Sequence, residues 1–157
     1  MPAGGSTPYG GLDEGATRWR MSWVVDTCVL IDVLEDDPDF GRASALCLRK
    51  YLNEGLVLSP VSMIELSPAF EGDLSKQKEF LSLCGVNFEL NSEGLDVVRA
   101  HVAWNHYIQK KRLKVAPKRP VADIMIGAFS MRFDGLITRN PKDFKPWFPD
   151  LKLIVPI

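Results

Sequence analysis

The chain has 157 residues, a formal net charge of −1, 46% hydrophobic residues and 25% charged residues. That length suits one domain with a real core, and the near-neutral charge excludes a protein that binds polyanions over its whole surface, so any nucleic-acid contact must come from a local patch. No apolar run reaches the ~20 residues of a membrane span, and residues 1–20 lack the apolar core of a signal peptide.

Residues 1–20, MPAGGSTPYGGLDEGATRWR, are dominated by Gly, Pro, Ser and Thr. They read as a flexible extension ahead of a folded domain over 21–157. The first element of that domain is WVVDTCVLIDVL, Trp23 to Leu34. A Trp/Val run suits a buried strand, and Val29, Leu30, Val33 and Leu34 fall at helical spacing. Asp26 and Thr27 therefore stand where a strand hands over to a helix. An N-cap alone would account for either residue. Asp32 and Glu35 lie on the helix that leaves Asp26, which sets them apart from the acids that follow. EDDPDF places acids around Pro38 and predicts a helix start, with the helix running to about Asn53.

GLVLSPVSMIEL, Gly55 to Leu66, repeats the layout. Leu56 to Leu58 predict a short buried strand, Ser59 a cap, Pro60 the first helical position, and Glu65 a carboxylate near the start of that helix. Gly72 to Leu83 predict an amphipathic helix with Leu74, Phe80, Leu81 and Leu83 as packing candidates. Val86–Leu90 reads as a strand, and Ser92 as the cap of a long helix to about Leu113. His101 and His106 are five apart, not at the i, i+4 spacing that stacks two ligands on one helix face, so packing or surface hydrogen bonding is assigned to them.

The end of that helix is basic. QKKRLKVAPKRP carries Lys110, Lys111, Arg112, Lys114, Lys118 and Arg119 without an acid. Such a run can complement the helix dipole or contact phosphates; its place just before the next carboxylate favours phosphates. RPVADIMIGAFSMR then gives a helix opened by Pro120, apolar on nearly every side from Ile124 to Phe129, with Asp123 in its first turn. A carboxylate beside so apolar a segment needs a partner. FDGLITRNPKDFKPWF gives a strand at Leu136 and Ile137 and then Thr138, Arg139, Asn140 and Asp143 in a polar turn. Lys152 to Val155 reads as an edge strand. Cys28, Cys47 and Cys84 are odd in number and set in apolar runs, which suits buried thiols in a reducing cytosol.

Strand–helix units in series predict an α/β fold with a largely parallel sheet. Parallel strands share one carboxyl edge, which would bring Asp26, Glu65, Asp123 and Asp143 together. Four free anions at one small site repel one another. A hard divalent cation, Mg²⁺ or Mn²⁺, resolves that conflict with oxygen ligands alone.

VVDTCVLIDVL, LSPVSMIEL, RPVADIMIGAFS and LITRNPKDF, in this order and spacing, resemble the PIN-domain family, and within it the VapC-type toxins of toxin–antitoxin systems. The resemblance covers about Met21 to Val155. It implies a single-domain α/β/α sandwich around a mainly parallel sheet and metal-dependent endoribonuclease activity in the cytoplasm. It assigns Asp26, Glu65 and Asp123 as the first three acids and Asp143 as the fourth, with Asn140 able to share that role. Thr27 and Thr138 match small polar residues lining the family's site. Cys28 departs from the Asn or Ser often found after that Thr. The resemblance also implies an RNA substrate, a homodimer and a small antitoxin that inserts a segment, often bearing Arg, into the acidic site. The other class consistent with the residues is a PIN-like RNA- or protein-binding module without catalysis. A phosphotransfer domain fits less well: DTC lacks the second acid and LITRN the late-strand Lys that such domains use.

Overall fold

The computed structural model describes residues 22–113 and 120–157, with Arg112 and Leu113 by backbone alone. The expected extension over residues 1–20 lies outside this range, as do Lys114, Lys118 and Arg119. Five strands run parallel in the order β3-β2-β1-β4-β5: β1 Trp23–Val25, β2 Leu56–Val57, β3 Val86–Asn87, β4 Gly135–Ile137 and β5 Leu153–Ile154. Trp23, Val24 and Val25 are at most 4% exposed. Burial on both faces is why β1 is continuously apolar rather than alternating.

Successive side chains of each strand point to opposite faces, and the two faces carry two cores. Trp23, Val25, Leu56 and Ile137 pack with Val29, Leu30, Leu48, Leu66 and Leu81. These come from the helices of the first half: α1 Thr27–Leu34, α2 Gly41–Tyr51 and α4 Leu74–Leu83, with the short α3 Pro60–Glu65 leading to Leu66. Val24, Val57 and Leu136 pack on the other face with Ala103, Tyr107, Ile124, Ile126 and Phe129, from α5 Gly94–Leu113 and α6 Val121–Ser130. The expected single-domain α/β/α architecture, PIN-like, is the one observed.

Local boundaries differ in places. Pro38 does not open a helix. Asp37 Oδ1 accepts the backbone N–H groups of Asp39 and Phe40, both at 2.9 Å, and this turn delays α2 to Gly41. The strand expected over Val86–Leu90 is only two residues long, because Asn87 Oδ1 folds back onto the Glu89 N–H. Asp73, accepting from Lys76 N–H, caps α4, and Leu74 and Leu83 at its two ends are 53% and 82% exposed rather than packed. Ser92 is not the start of α5. There the Asp96 carboxylate reaches back to the Glu93 N–H at 2.8 Å.

One clasp orients the second helical layer. Arg132, just past α6, gives its Nε and Nη2 to Asp96 at 2.7 and 2.9 Å and its Nη1 to Glu93 at 3.2 Å. The end of α6 lies at the amino edge of the sheet, since β4 begins five residues later. The clasp holds the start of α5 there, so its 20 residues, about 30 Å of helix, run toward the carboxyl edge with Lys110 and Lys111 at the far end.

Candidate functional site

The chain leaves β1 toward β2 and β3 on one side and returns to β4 on the other. The carboxyl ends of β1 and β4 therefore form the topological switch point, where open α/β sheets place their ligands. Asp26 is the first residue after β1. Its extended backbone, φ −70° and ψ 148°, makes it the N-cap of α1, and Oδ1 accepts the Thr27 N–H at 2.8 Å. Capping is thus part of its role, but only one oxygen is used for it. Oδ2 accepts the Thr138 hydroxyl from the end of β4 at 2.7 Å and the Cys28 thiol at 3.4 Å. Thr138 Oγ1 in turn accepts the Asn140 N–H at 3.0 Å. On the other side the Thr27 hydroxyl donates to Glu65 Oε1 at 2.7 Å. Ser59 and Pro60 place Glu65 there: Ser59 caps α3, and the helix is so short that Glu65 is its last residue rather than lying near its start.

Five expected residues, Asp26, Thr27, Glu65, Thr138 and Asn140, thus form one hydrogen-bonded chain across the ends of β1, β2 and β4. Asp26 is 6% exposed and Thr138 fully buried, whereas Glu65 is open to solvent. Burial pushes the Asp26 carboxyl above its ordinary range; the Thr138, Cys28 and Thr27 donors oppose that rise, and the neighbouring Glu65 charge adds to it. Burial also pushes the Cys28 thiol up to about 12, reinforced by the charge of Asp26 and opposed by the Arg139 backbone N–H. Cys28 is therefore a protonated donor to Asp26, not a nucleophile. All three cysteines are free and only partly buried.

Asp123 is half-buried in the first turn of α6, on a helix that packs against α3. Asp143 is exposed at the end of the 3₁₀ turn Pro141–Asp143, with its N–H on the Asn140 carbonyl at 3.1 Å. Among the described residues no three His, Cys, Asp or Glu side chains converge closely enough to hold a metal ion. The Asp26–Glu65 pair fits a hard cation by donor type, being all oxygen; by number, two carboxylates are fewer than such an ion takes. Of the basic run, Lys110 is exposed with Nζ 5.6 Å from the centre of the Trp147 ring, and Lys111 is half-buried.

Arg139 is the residue that sequence reasoning misses. Its guanidinium grips Asp32 with two hydrogen bonds, Nε to Oδ2 at 2.8 Å and Nη2 to Oδ1 at 3.0 Å, and stacks over Phe40 at 4.2 Å. Asp32 is 2% exposed and also accepts from Ser44 Oγ at 3.2 Å. The sequence does carry a signal: a lone acid on a helix as apolar as TCVLIDVL has to be paired.

No protein-family model and no curated protein sequence matches the chain. Among solved structures it is similar to a chain of VapBC2 from Rickettsia felis, determined bound to a DNA fragment from their promoter. The superposition has a TM-score of 0.62 at 15% identity and covers 85% of this chain and 98% of that one. The fold is the shared property: a PIN-like α/β architecture. Among the described residues no helix is long and apolar enough to cross a membrane.

Proposed function

We propose that this chain is a metal-dependent endoribonuclease, the toxin of a type II toxin–antitoxin pair, cutting RNA phosphodiesters at the carboxyl edge of its sheet. The observation that carries this reading is the buried Asp26 carboxylate at the switch point, joined through Thr27 to Glu65. The likeness to a VapBC2 chain supports it at the level of the fold. Asp26 and Glu65 would supply two oxygen ligands to Mg²⁺ or Mn²⁺, and Asp123 and Asp143 would complete the set only by closing on them as the ion binds, since they do not converge with the pair in this structure. Such an ion would lower the pKa of water and stabilise charge on the scissile phosphate. The protein's own contribution is positioning. Thr138 and the Thr27 N–H fix the two Asp26 oxygens, and the Thr27 hydroxyl sets Glu65 beside them. Lys110 and Lys111 at the end of α5, with Arg112, Lys114, Lys118 and Arg119 of the same basic run, would hold the RNA backbone. In-line attack by water leaves a 5′-phosphate and a 3′-hydroxyl, and no side-chain nucleophile is needed.

The partners in this reading are an antitoxin and a second copy of the chain. An acidic site accepts an Arg-bearing segment readily. The exposed valines of α5, Val97, Val98 and Val102, offer a face for the second copy.

The test is cleavage of total RNA by the purified protein and by Asp26→Asn, with Mg²⁺, Mn²⁺ or EDTA, alongside Mn²⁺ binding by calorimetry. Discrete products that require both the metal and Asp26 are expected. Full activity in Asp26→Asn would sink the site, and neither cleavage nor Mn²⁺ binding by wild type would leave a non-catalytic binding module.

A further inference from the structure

We infer that Arg139 is a positioning residue for the site at Asp26, with Asp32 as the anchor it grips. The inference rests on Asp26 being the centre of that site. After β4 the side chain of Thr138 reaches Asp26, while that of Arg139 reaches Asp32. Both acids belong to the same run of chain: Asp26 caps α1 and Asp32 lies six residues along, about 9 Å of helix. Between them on α1, the Cys28 thiol also donates to Asp26. The segment 138–140 is thus attached to α1 at two heights, and the ion pair is the attachment that does not touch Asp26.

A buried ion pair contributes little net stability, because desolvation offsets much of the attraction. Its value here is geometric. The guanidinium fork accepts only one orientation of the carboxylate, and stacking on Phe40 fixes the plane of the fork. Holding Arg139 to α1 in turn restrains the backbone of the adjoining Thr138, whose hydroxyl reaches Asp26. The β4 strand itself is secured by β1 and β5 on its two sides and does not depend on the pair.

The test uses the double variant Asp32→Asn, Arg139→Met, which removes both charges and leaves neither unpaired. Three quantities are measured on the full chain: Tm, hydrogen-exchange protection of the Asn140 amide that bonds Thr138 Oγ1, and RNA cleavage resolved into kcat and KM. The expected result is a Tm within a few degrees of wild type, Asn140 protection reduced at least tenfold, and kcat reduced at least tenfold with KM unchanged. Wild-type protection together with wild-type kcat would overturn the inference. If the double variant does not fold, the same readouts are taken on Arg139→Lys, which keeps the charge and loses the fork; unchanged protection there overturns it equally. If wild type does not cleave RNA, the nuclease reading fails, and Asn140 protection alone decides whether Arg139 positions the loop.

Discussion

A carboxylate as buried as Asp26, with another carboxylate beside it, works against the fold at neutral pH. Its pKa in the folded protein lies above the ordinary 3.8, so the native state binds the proton more tightly than the unfolded chain does. The stability it contributes is complete below that ordinary value and is lost as pH rises through the folded one. Asp26→Asn is nearly isosteric and keeps an oxygen for the Thr27 N–H. It should therefore melt higher than wild type at pH 7.5, with the difference closing as the pH approaches 4; an equal or lower Tm at pH 7.5 would show that the carboxylate is not strained there. The same burial governs Cys28. With its thiol pushed up to about 12, native protein at pH 8 should be alkylated by iodoacetamide at Cys47 and Cys84 before Cys28, and peptide mapping after a timed quench would show the order. Asp26 is legible in the sequence because a polar pair interrupts an apolar run only where one element ends and another begins. The hydroxyl that meets it is expected to line the site, but the bond between them is not legible, since nothing in LITRN tells which of its polar residues faces back across the sheet.

The elements are legible where local chemistry specifies them. Ser59 followed by Pro60 starts α3 as expected, with Ser59 Oγ accepting the Ser62 N–H at 3.2 Å. Ser59→Ala should cost about 1 kcal/mol, measurable by urea unfolding, and should disturb the placement of Glu65 six residues on. The pattern misleads where a side chain competes with the backbone, as Asp37 does before α2 and Asn87 does after β3. Amphipathic spacing alone also overstates the packing of α4, because a helix end can overhang the sheet, as Leu83 does. One constraint lies in packing that no pattern discloses. A Cβ on Gly135 would meet the Lys152 carbonyl oxygen and, at 2.8 Å, the Trp23 ring. Gly135→Ala should therefore destabilise by about 1–3 kcal/mol, and a loss smaller than that would mean that β5 can move away from β4 at little cost.

At the scale of the whole molecule, α5 carries several of the exposed large apolar side chains among the described residues. Leu95, Val97, Val98 and Val102 are 50–63% exposed, and Val121 and Met125 of α6, which line one hollow with Val97, are 45% and 44% exposed. A second copy over this face predicts a dimer by sedimentation, converted to monomer by Val98→Asp with Val102→Asp; a wild-type monomer at micromolar concentration would remove the dimer from the proposal. The far end of α5 makes a separate prediction. Replacing Lys110 and Lys111 with Gln should weaken RNA binding and reduce its salt slope by up to about 2, one for each phosphate that a lysine no longer neutralises, read from binding at a series of KCl concentrations. The overall architecture is the most legible level of all, because alternating strand and helix signals leave few topologies open.

The bond from Thr138 to Asp26 joins positions 112 apart in sequence. During synthesis Asp26, Thr27 and Glu65 leave the ribosome long before β4 exists, and β1 waits for its central neighbour until most of the chain has been made. A product that stops short of Thr138 holds Asp26, Glu65 and Asp123 but lacks the hydroxyl that Asp26 accepts. On the proposed nuclease reading, the site is thereby left unassembled until residues 135–138 have been made.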